Sequence, residues 1–262
     1  MAASPTDAPE EAARPFSSRS PEPLIVAHRA RSGDERENTL EAVEAALLRG
    51  VEAIEVDARI TSDGVVVVCH DTEVGEHAVA VSTLADLRAA DPGTATLHDV
   101  AALTVGRCLL DVDIKEPGYE EQVADAVAAW RSPEAGVVFT SFHDVSVDRL
   151  KQLCPGTPVG LLLGRQRPRR RLATRASELR PLQRLRACGA DFAVPHYRLL
   201  RLGLARTLRA AGYPVWVWTA DAPALLKRLI SDPNIDAVIT NDPLEAVRLR
   251  DARDVTMAQQ QH

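Results

Sequence analysis

Nine short runs of apolar, mostly β-branched residues recur along the chain, and stretches with helical spacing of apolar positions separate them. Strands that alternate with helices of this length form βα units, whose strands pair in parallel. Eight such units close a barrel, and 262 residues with 45% hydrophobic content suffice for one domain of that size. The predicted fold is therefore α/β, a single-domain TIM (β/α)8 barrel. The runs are Leu24 to Ala27, Ala53 to Ala58, Val65 to Cys69, Leu109 to Ile114, Val137 to Ser141, Pro158 to Leu163, Asp191 to Val194, Val215 to Thr219 and Ala237 to Thr240.

The third run needs a separate explanation, because a barrel of eight strands leaves one of the nine over. It follows Asp63-Gly64, a dipeptide that tolerates the positive φ angles of a tight two-residue turn. Val65 to Cys69 is therefore predicted to be an antiparallel hairpin arm after strand 2. With the dipeptide at the tip, counting outward pairs Asp57 with His70 and brings this histidine to the C-terminal end of strand 2.

Charge and cysteine usage limit the class of protein. A net charge of -6 and a pI near 5.7 oppose a general nucleic-acid binder, which carries a basic excess on one face. A small anionic ligand remains compatible, because a few local cations suffice to bind it. The four cysteines lack any CxxC pair or metal-type spacing, which indicates buried thiols in a reducing compartment.

Both ends of the chain are predicted to lie outside the barrel. Residues 1–23 are rich in Pro, Ala, Ser and Glu and contain no apolar signal segment, so we expect a disordered N-terminal tail. The barrel is predicted to span residues 24–250, and residues 251–262 to form a flexible C-terminal tail. No stretch approaches the roughly 20 apolar residues of a transmembrane helix, so we expect a cytoplasmic protein without a transmembrane segment.

One segment, Arg165 to Arg186, departs in composition because it is dense in arginine. A solvated connection and helix face after strand 6 is the ordinary interpretation of such a run. A contact with a polyanion or a membrane surface near the mouth of the barrel is the alternative. The sequence leaves both open.

Acidic side chains end two of the predicted strands. Glu55 and Asp57 are two residues apart, so both point to one face of strand 2. Alternation in the fourth run places Asp111, Asp113 and Lys115 on one face, and the last two lie nearer the C-terminal end, where barrel enzymes carry their sites. Glu55, Asp57 and Asp113 are predicted to hold one divalent cation, Mg²⁺ or Ca²⁺, and Lys115 to hold a phosphate oxygen.

Two histidines end strands beside this acidic group. A neutral imidazole takes a proton and an imidazolium gives one, so His28 and His70 are predicted to act as acid and base on either side of a phosphorus centre. The planar fork of Arg29 suits phosphate oxygens. Trp218 ends strand 8 at the same edge and is predicted to contact the carbon face of a substrate.

An ordered set of short motifs between about Leu24 and Arg248 resembles the glycerophosphodiester phosphodiesterase family, a metal-dependent group of TIM barrels. Each motif alone is weak, but the order is specific. The motifs are Ala27-His28-Arg29, Glu37-Asn38-Thr39, Glu55-Val56-Asp57, Thr61-Ser62-Asp63-Gly64, His70-Asp71, Asp113-Ile114-Lys115-Glu116, Ser141-Phe142, Trp218-Thr219 and Asp236-Ala237-Val238-Ile239-Thr240-Asn241-Asp242-Pro243.

The resemblance implies the same roles for the matching positions: acid and base at the two histidines, metal ligands at the three carboxylates, and substrate contacts at Arg29, Lys115 and Trp218. The sequence departs from the family pattern at three positions. Ala30 stands where the family has glycine, which predicts a reshaped loop around Arg29. Arg36 replaces the usual proline, and Asp113 replaces a longer glutamate, which predicts a looser ligand or an intervening water.

The expected activity is metal-dependent hydrolysis of glycerophosphodiesters to sn-glycerol 3-phosphate and an alcohol, with a small-molecule glycerophosphodiester as the substrate and no nucleic-acid partner. Two alternatives remain open. One is a lipid phosphodiesterase of the lysophospholipase D type, favoured by a wide apolar pocket beyond Trp218. The other is a non-catalytic barrel that binds a phosphorylated ligand. The sequence leaves the oligomeric state undetermined.

Overall fold

Eight parallel strands form the barrel in a computed structural model that describes residues 22–130, 136–164 and 180–260. Around the barrel the strands follow one another in chain order, and the strand at Ala237–Thr240 pairs with the strand at Leu24–Ala27. Parallel bridges from Ala193 to Val215 and from His196 to Trp218 close the barrel between its sixth and seventh strands. The predicted TIM barrel is confirmed. Its strands are β1 (Leu24–Ala27), β2 (Ala53–Ile60), β6 (Leu109–Ile114), β7 (Val137–Ser141), β8 (Val159–Leu163), β9 (Phe192–Pro195), β10 (Trp216–Val217) and β11 (Ala237–Thr240).

Helices surround the barrel and connect its strands. The described residues contain nine α-helices: α1 (Leu40–Leu48), α2 (Leu84–Ala90), α3 (Leu97–Thr104), α4 (Glu120–Ala126), α5 (Asp144–Leu153), α6 (Pro181–Ala187), α7 (Leu204–Ala210), α8 (Pro223–Ile230) and α9 (Pro243–Gln260). A 3-10 segment, Tyr197–Leu202, precedes α7. Gly203 separates the two with a φ of 73°, a left-handed conformation that ends a helix.

Alternation along the strands divides the core into two layers. Ile54, Val56 and Ala58 of β2 face the surrounding helices, whereas Ala53 faces the barrel interior. The rings of Phe192 and Trp216 fill that interior with centroids 4.9 Å apart. Gly160 lies beside them because a Cβ there would overlap the Phe192 ring. Below the polar C-terminal end, the barrel is thus a packed apolar core.

The hairpin arm exists, but its predicted register is wrong by one residue. The arm is β3 (Val66–Val68), which pairs antiparallel with β2 and brings Val68 opposite Ala58. Cys69 therefore lies opposite Asp57, where the sequence predicted His70, and its amide donates to the Asp57 carbonyl at 2.8 Å. The cause is the turn, which holds three residues between Thr61 and Val65 and has Gly64 at a φ of 81°. A further short hairpin, β4 (Glu73–Val74) with β5 (His77–Ala78), follows the arm.

The ends of the chain and the arginine-rich segment lie partly outside the described residues. The predicted N-terminal tail, residues 1–23, is described only at its last two positions, and residues 165–179 are not described. Where the sequence predicted a flexible tail from residue 251, α9 continues to Gln260. All four cysteines are described and none forms a disulfide. Across the described ranges, no helix combines the length and the apolar character needed to cross a membrane.

Candidate active site

Three carboxylates meet at the C-terminal end of the barrel, as the sequence predicted. The parallel register of β2 and β6 places Asp57 beside Asp113, and Glu55 lies one step below on the same face of β2. One oxygen from each of the three lies within 4.8 Å of the others. All three residues are buried, with Asp57 completely inaccessible. Such a group of like charges requires cations or protons nearby.

Lys115, directly after β6, supplies one of these cations. Its ammonium forms ion pairs with both Asp57 and Asp113. Burial disfavours the charged lysine, but the carboxylates of Asp113 and Asp57 outweigh it and raise the pKa of Lys115. Burial acts in the opposite direction on Asp57, where the charges of Lys115 and Arg29 outweigh it and hold the pKa of this carboxyl below its usual value. Lys115 thus favours the ionised form of Asp57, and it opposes the burial that raises the pKa of Asp113.

A fourth carboxylate, Asp111, lies deeper on β6 and was not among the predicted site residues. Its Oδ1 accepts a hydrogen bond from the Thr140 hydroxyl at 2.9 Å. Burial is the main cause that raises the pKa of Asp111 to about 8. Burial, followed by the charge of Asp57, also raises the pKa of Glu55 well above its usual value. In both cases burial favours the protonated carboxyl, and a positive charge beside the cluster would oppose that shift.

The donor set fits a divalent cation. Within the described part of the chain, Asp113 Oδ1 and Asp111 Oδ2 are buried oxygens without a hydrogen-bond partner. Asp57 Oδ1 also lacks a hydrogen bond of good geometry, although it contacts the Lys115 ammonium. Convergent carboxylate oxygens are the ligands that Mg²⁺ and Ca²⁺ prefer. Glu55, Asp57 and Asp113 could therefore hold one such ion.

His28 stands at the end of β1 with its two ring nitrogens in different surroundings. Nδ1 forms a hydrogen bond with Asn241 Oδ1 at 2.8 Å. Nε2 lies 3.9 Å from Glu55 Oε2, on the side of the acidic cluster. Burial, followed by the charge of Arg29, lowers the pKa of His28 to about 4. The imidazole is therefore neutral near pH 7, a state in which it can accept a proton.

His70 reaches the same cavity although the predicted register is wrong. Arg59 of β2 donates from Nε and Nη2 to the His70 carbonyl oxygen, at 3.1 and 2.7 Å. The same guanidinium forms an ion pair with Glu116. Nδ1 of His70 lies 2.9 Å from Asp71 Oδ1, and the side chain is 42% exposed. Arg59 thus fixes the backbone at the histidine, a role that the sequence analysis missed.

Arg29 lies in a tight left-handed turn. Its φ is 55° and that of Ala30 is 60°, so an alanine occupies a conformation usually left to glycine. The loop predicted to be reshaped by Ala30 delivers the Arg29 amide to Glu55 Oε2 at 2.8 Å. The guanidinium donates to Glu37 Oε1 at 2.6 Å and lies 3.2 Å from Asp57 Oδ2. Arg29 therefore organises the acidic cluster as well as facing the cavity.

The motif Glu37-Asn38-Thr39 contributes three separate functions. Glu37 pairs with Arg29, and Thr39 caps α1 by accepting from the Ala42 amide at 3.1 Å. Asn38, at a φ of 58°, donates to Asp57 Oδ2 at 2.8 Å and accepts from the Asp57 amide at 3.2 Å. Thr39 is therefore the N-cap of α1. Asn38 instead orients a predicted metal ligand.

The cavity that joins these groups has a volume of about 850 Å³. Its polar lining contains the predicted histidines, Arg29, Lys115, Glu55 and Asp113. Its apolar lining includes Phe142, Leu162, Trp218 and Ile239. The Trp218 indole donates to the Val194 carbonyl at 2.8 Å and meets the Phe142 ring edge to face, 5.3 Å between centroids. Except for Asp57, which lies buried behind Arg29 and Lys115, every predicted site residue lines this cavity.

A closed parallel barrel with acidic, basic and imidazole groups at the C-terminal end of its strands has the architecture and the residue types of a TIM-barrel enzyme. The family model of the glycerophosphoryl diester phosphodiesterase family matches residues 28–245. The chain belongs to this family.

Relatives and solved structures agree with that assignment. A glycerophosphodiester phosphodiesterase of Caldanaerobacter subterraneus is 27% identical over 86% of this chain and 97% of its own. The structure of a glycerophosphodiester phosphodiesterase from Thermotoga maritima covers 87% of this chain and 98% of its own, at 25% identity and a TM-score of 0.72. The fold is also similar, with a TM-score of 0.73 at 21% identity, to an Oleispira antarctica phosphodiesterase solved with the product sn-glycerol-3-phosphate; the match covers 88% of this chain and 97% of that one.

Proposed function

We propose that the protein hydrolyses glycerophosphodiesters to sn-glycerol 3-phosphate and an alcohol, with Mg²⁺ or Ca²⁺ held by Glu55, Asp57 and Asp113. The observation that carries the proposal is the convergence of the two histidines and the carboxylate cluster on one cavity of about 850 Å³. Proton donors and acceptors on either side of a phosphorus centre are what diester cleavage requires. Family membership over residues 28–245 supports the same reaction.

The residues divide the work. The histidines transfer protons: one takes the proton of the attacking oxygen, and the other returns a proton to the leaving alkoxide. Lys115 and Arg29 supply positive charge where the phosphate oxygens would lie. When bound, a divalent cation supplies further positive charge against the phosphate and lowers the barrier to attack on an anionic diester. Trp218 offers an apolar surface to the glycerol carbons.

Turnover of a simple diester tests the proposal. Purified protein is expected to release sn-glycerol 3-phosphate from glycerophosphocholine, measured with a coupled glycerol-3-phosphate dehydrogenase assay. EDTA is expected to abolish release, and excess Mg²⁺ or Ca²⁺ to restore it. His28→Ala removes a proton-transfer group and is expected to lower kcat by roughly 10²–10⁴-fold. The matched control is His77→Ala, since His77 lies exposed on β5 away from the cavity.

The non-catalytic alternative predicts a different outcome of the same assay. If diesters raise the melting temperature but no diester and metal combination yields product, the barrel binds its ligand without turnover. If His28→Ala retains the activity of the control, His28 has no part in the chemistry.

The apolar lining residues of the cavity favour a second candidate, a lysophospholipase D type of activity. Phe142, Leu162, Trp218 and Ile239 form a surface that an acyl-bearing substrate could contact. Because the same cavity is also lined by the predicted phosphate-binding groups and other polar side chains, we expect kcat/KM to be higher for glycerophosphocholine than for lysophosphatidylcholine. Both substrates are compared at concentrations below micelle formation. A reversed ratio would assign the protein to lysolipids.

A further inference from the structure

We propose that Asp221 and Asn241 position the proton of His28 on Nδ1 and thereby make Nε2 the atom that accepts a proton during turnover. The first half concerns the resting protein alone, and only the second half rests on the proposed function. Neither Asp221 nor Asn241 lines the cavity. They act through His28 and are positioning residues.

A chain of hydrogen bonds connects these three side chains across three parts of the barrel. His28 ends β1, Asn241 follows β11, and Asp221 lies before α8. The Asn241 amide nitrogen Nδ2 donates to Asp221 Oδ2 at 2.9 Å, and Asn241 Oδ1 lies 2.8 Å from His28 Nδ1. The Asn241 backbone amide donates to Asp221 Oδ1 at 2.9 Å, and the Thr240 hydroxyl donates to the same oxygen at 3.3 Å.

The direction of every bond in this chain follows from the aspartate. An ionised carboxylate only accepts hydrogen bonds, so the Asn241 atom that faces it must be the NH₂ group. The carbonyl oxygen of the Asn241 amide must then face His28, and a carbonyl oxygen only accepts. Nδ1 of His28 must therefore carry the proton, which leaves the lone pair of the neutral ring on Nε2.

This tautomer matters for catalysis because of where Nε2 lies. Nε2 lies on the side of the acidic cluster, 3.9 Å from Glu55 Oε2, and His28 lines the cavity. A lone pair there can take the proton lost by an attacking hydroxyl, whereas the opposite tautomer would present an N–H and could not. The chain of hydrogen bonds therefore makes His28 the general base and leaves His70 as the general acid.

The substitution Asp221→Asn reverses the direction of the hydrogen bonds from position 221 through Asn241 to His28, and it keeps a side chain of nearly the same size. The new amide oxygen at position 221 still accepts from the Asn241 backbone amide and the Thr240 hydroxyl. Its NH₂ group then faces the NH₂ group of Asn241, so the Asn241 amide rotates by 180° and presents its own NH₂ to His28. Nδ1 must accept, and the proton moves to Nε2. We expect kcat to fall by roughly 10²–10⁴-fold with little change in KM.

The exchange variant Asp221→Asn/Asn241→Asp restores the direction of every bond. The amide at position 221 donates to the carboxylate at position 241, which accepts from His28 Nδ1. We expect kcat of this double variant to return to within about tenfold of the wild-type value, whereas the single variant loses at least about 10²-fold. Asp242→Asn is the matched control, because it removes one neighbouring negative charge and keeps a side chain that can cap α9 at the Glu245 amide.

Nitrogen-15 NMR of the imidazole rings reads the tautomer directly, in metal-free protein at pH 7.5 and without substrate. The His28 signals are assigned by their loss in His28→Ala. We expect the Nδ1–H pattern in wild type, in the exchange variant and in Asp242→Asn, and the Nε2–H pattern in Asp221→Asn. An Nε2–H pattern in wild type, an unchanged pattern in Asp221→Asn, or an exchange variant that keeps the Nε2–H pattern overturns the proposal.

The two readouts separate this inference from the proposed function. Absence of diester turnover in the wild type contradicts the function and leaves the NMR result to decide the tautomer. Wild-type turnover together with full kcat in Asp221→Asn contradicts the role given to Nε2.

Discussion

Replacing Lys115 with methionine is expected to lower the free energy of unfolding by about 3–5 kcal/mol in EDTA at pH 8. Methionine keeps most of the side-chain volume but removes the ammonium that pairs with Asp57 and Asp113. Asp113 is then buried without the ammonium, and Asp57 keeps Arg29, at 3.2 Å, as a cationic partner. Burial therefore penalises both charged carboxylates or favours protonation of one of them. In a thermal scan the loss corresponds to a decrease in melting temperature of about 6–20 °C.

A divalent cation is expected to reverse much of this loss. If Glu55, Asp57 and Asp113 hold Mg²⁺ or Ca²⁺, the bound ion replaces the positive charge that methionine lacks. The increase in melting temperature with added metal should therefore be larger in Lys115→Met than in the wild type, in which the ammonium already neutralises part of the cluster. Diester hydrolysis should remain low, because Lys115 is also predicted to contact the phosphate.

Lys151→Met is the matched control for Lys115→Met. Lys151 also forms an ion pair with an aspartate, Asp191 at 2.8 Å, but its side chain is 29% exposed and lies outside the cavity. We expect it to cost no more than about 1 kcal/mol and to show no metal dependence. If both variants lose equally little stability and metal stabilises neither, the three carboxylates do not form a cation site.

Most of the barrel and much of the site follow from local periodicity. A period of two along the run from Ala53 to Ala58 places Glu55 and Asp57 on one face, and the same rule groups Asp113 with Lys115. Because parallel strands end at the same edge of a barrel, residues 55–57 and 113–115 meet without any knowledge of their contacts. The pairing of Asp57 with Asp113 confirms this reasoning.

The sequence predicts turn geometry and long-range contacts less well. Whether Asp63-Gly64 forms a two-residue or a three-residue turn depends on hydrogen bonds around Thr61, and the difference shifts the arm by one residue. The hydrogen bond between His28 and Asn241 joins residues 213 positions apart, and no local sequence pattern predicts it. The sequence shows Arg59 only as one more strand residue. Its function becomes clear only from its hydrogen bond to the His70 carbonyl oxygen.

The role of Lys115 illustrates a further limit of the sequence. A lysine at the end of a barrel strand, next to acidic residues, predicts either a phosphate contact or an ion pair. The structure places its ammonium between Asp57 and Asp113, and the burial of these two carboxylates makes the ion pair structurally important. Burial is a property of the folded chain, so the sequence alone could not rank the two roles.

Replacing Asp111 with asparagine is expected to stabilise the metal-free protein at pH 8 by about 2–4 kcal/mol. Burial raises the pKa of this carboxyl to about 8 in the folded protein, whereas the unfolded chain has the usual value of 3.8. Because the folded pKa is raised, the native state is favoured below pH 4 and loses this advantage progressively as the pH rises towards 8. Asparagine stays neutral throughout and still accepts the hydrogen bond from Thr140, so it avoids the loss.

The sign and the pH window of this effect are both testable. Denaturant unfolding in EDTA should show Asp111→Asn more stable than the wild type at pH 8, with the difference approaching zero near pH 4. Asp148→Asn, at an exposed position of α5, is the control and should show no such pH-dependent gain. A variant less stable than the wild type at pH 8 would mean that Asp111 is ionised and stabilised by a cationic partner.

Metal addition gives the Asp111 experiment its functional meaning. A divalent ion at Glu55, Asp57 and Asp113 adds positive charge beside Asp111 and favours its ionised form, so the advantage of Asp111→Asn should shrink or reverse in Ca²⁺ or Mg²⁺. The wild-type chain would then retain a buried carboxylate that destabilises the metal-free state in return for a more negative metal site. That exchange of stability for charge is the expected behaviour of a side chain selected for its contribution to a bound cation rather than for the stability of the barrel.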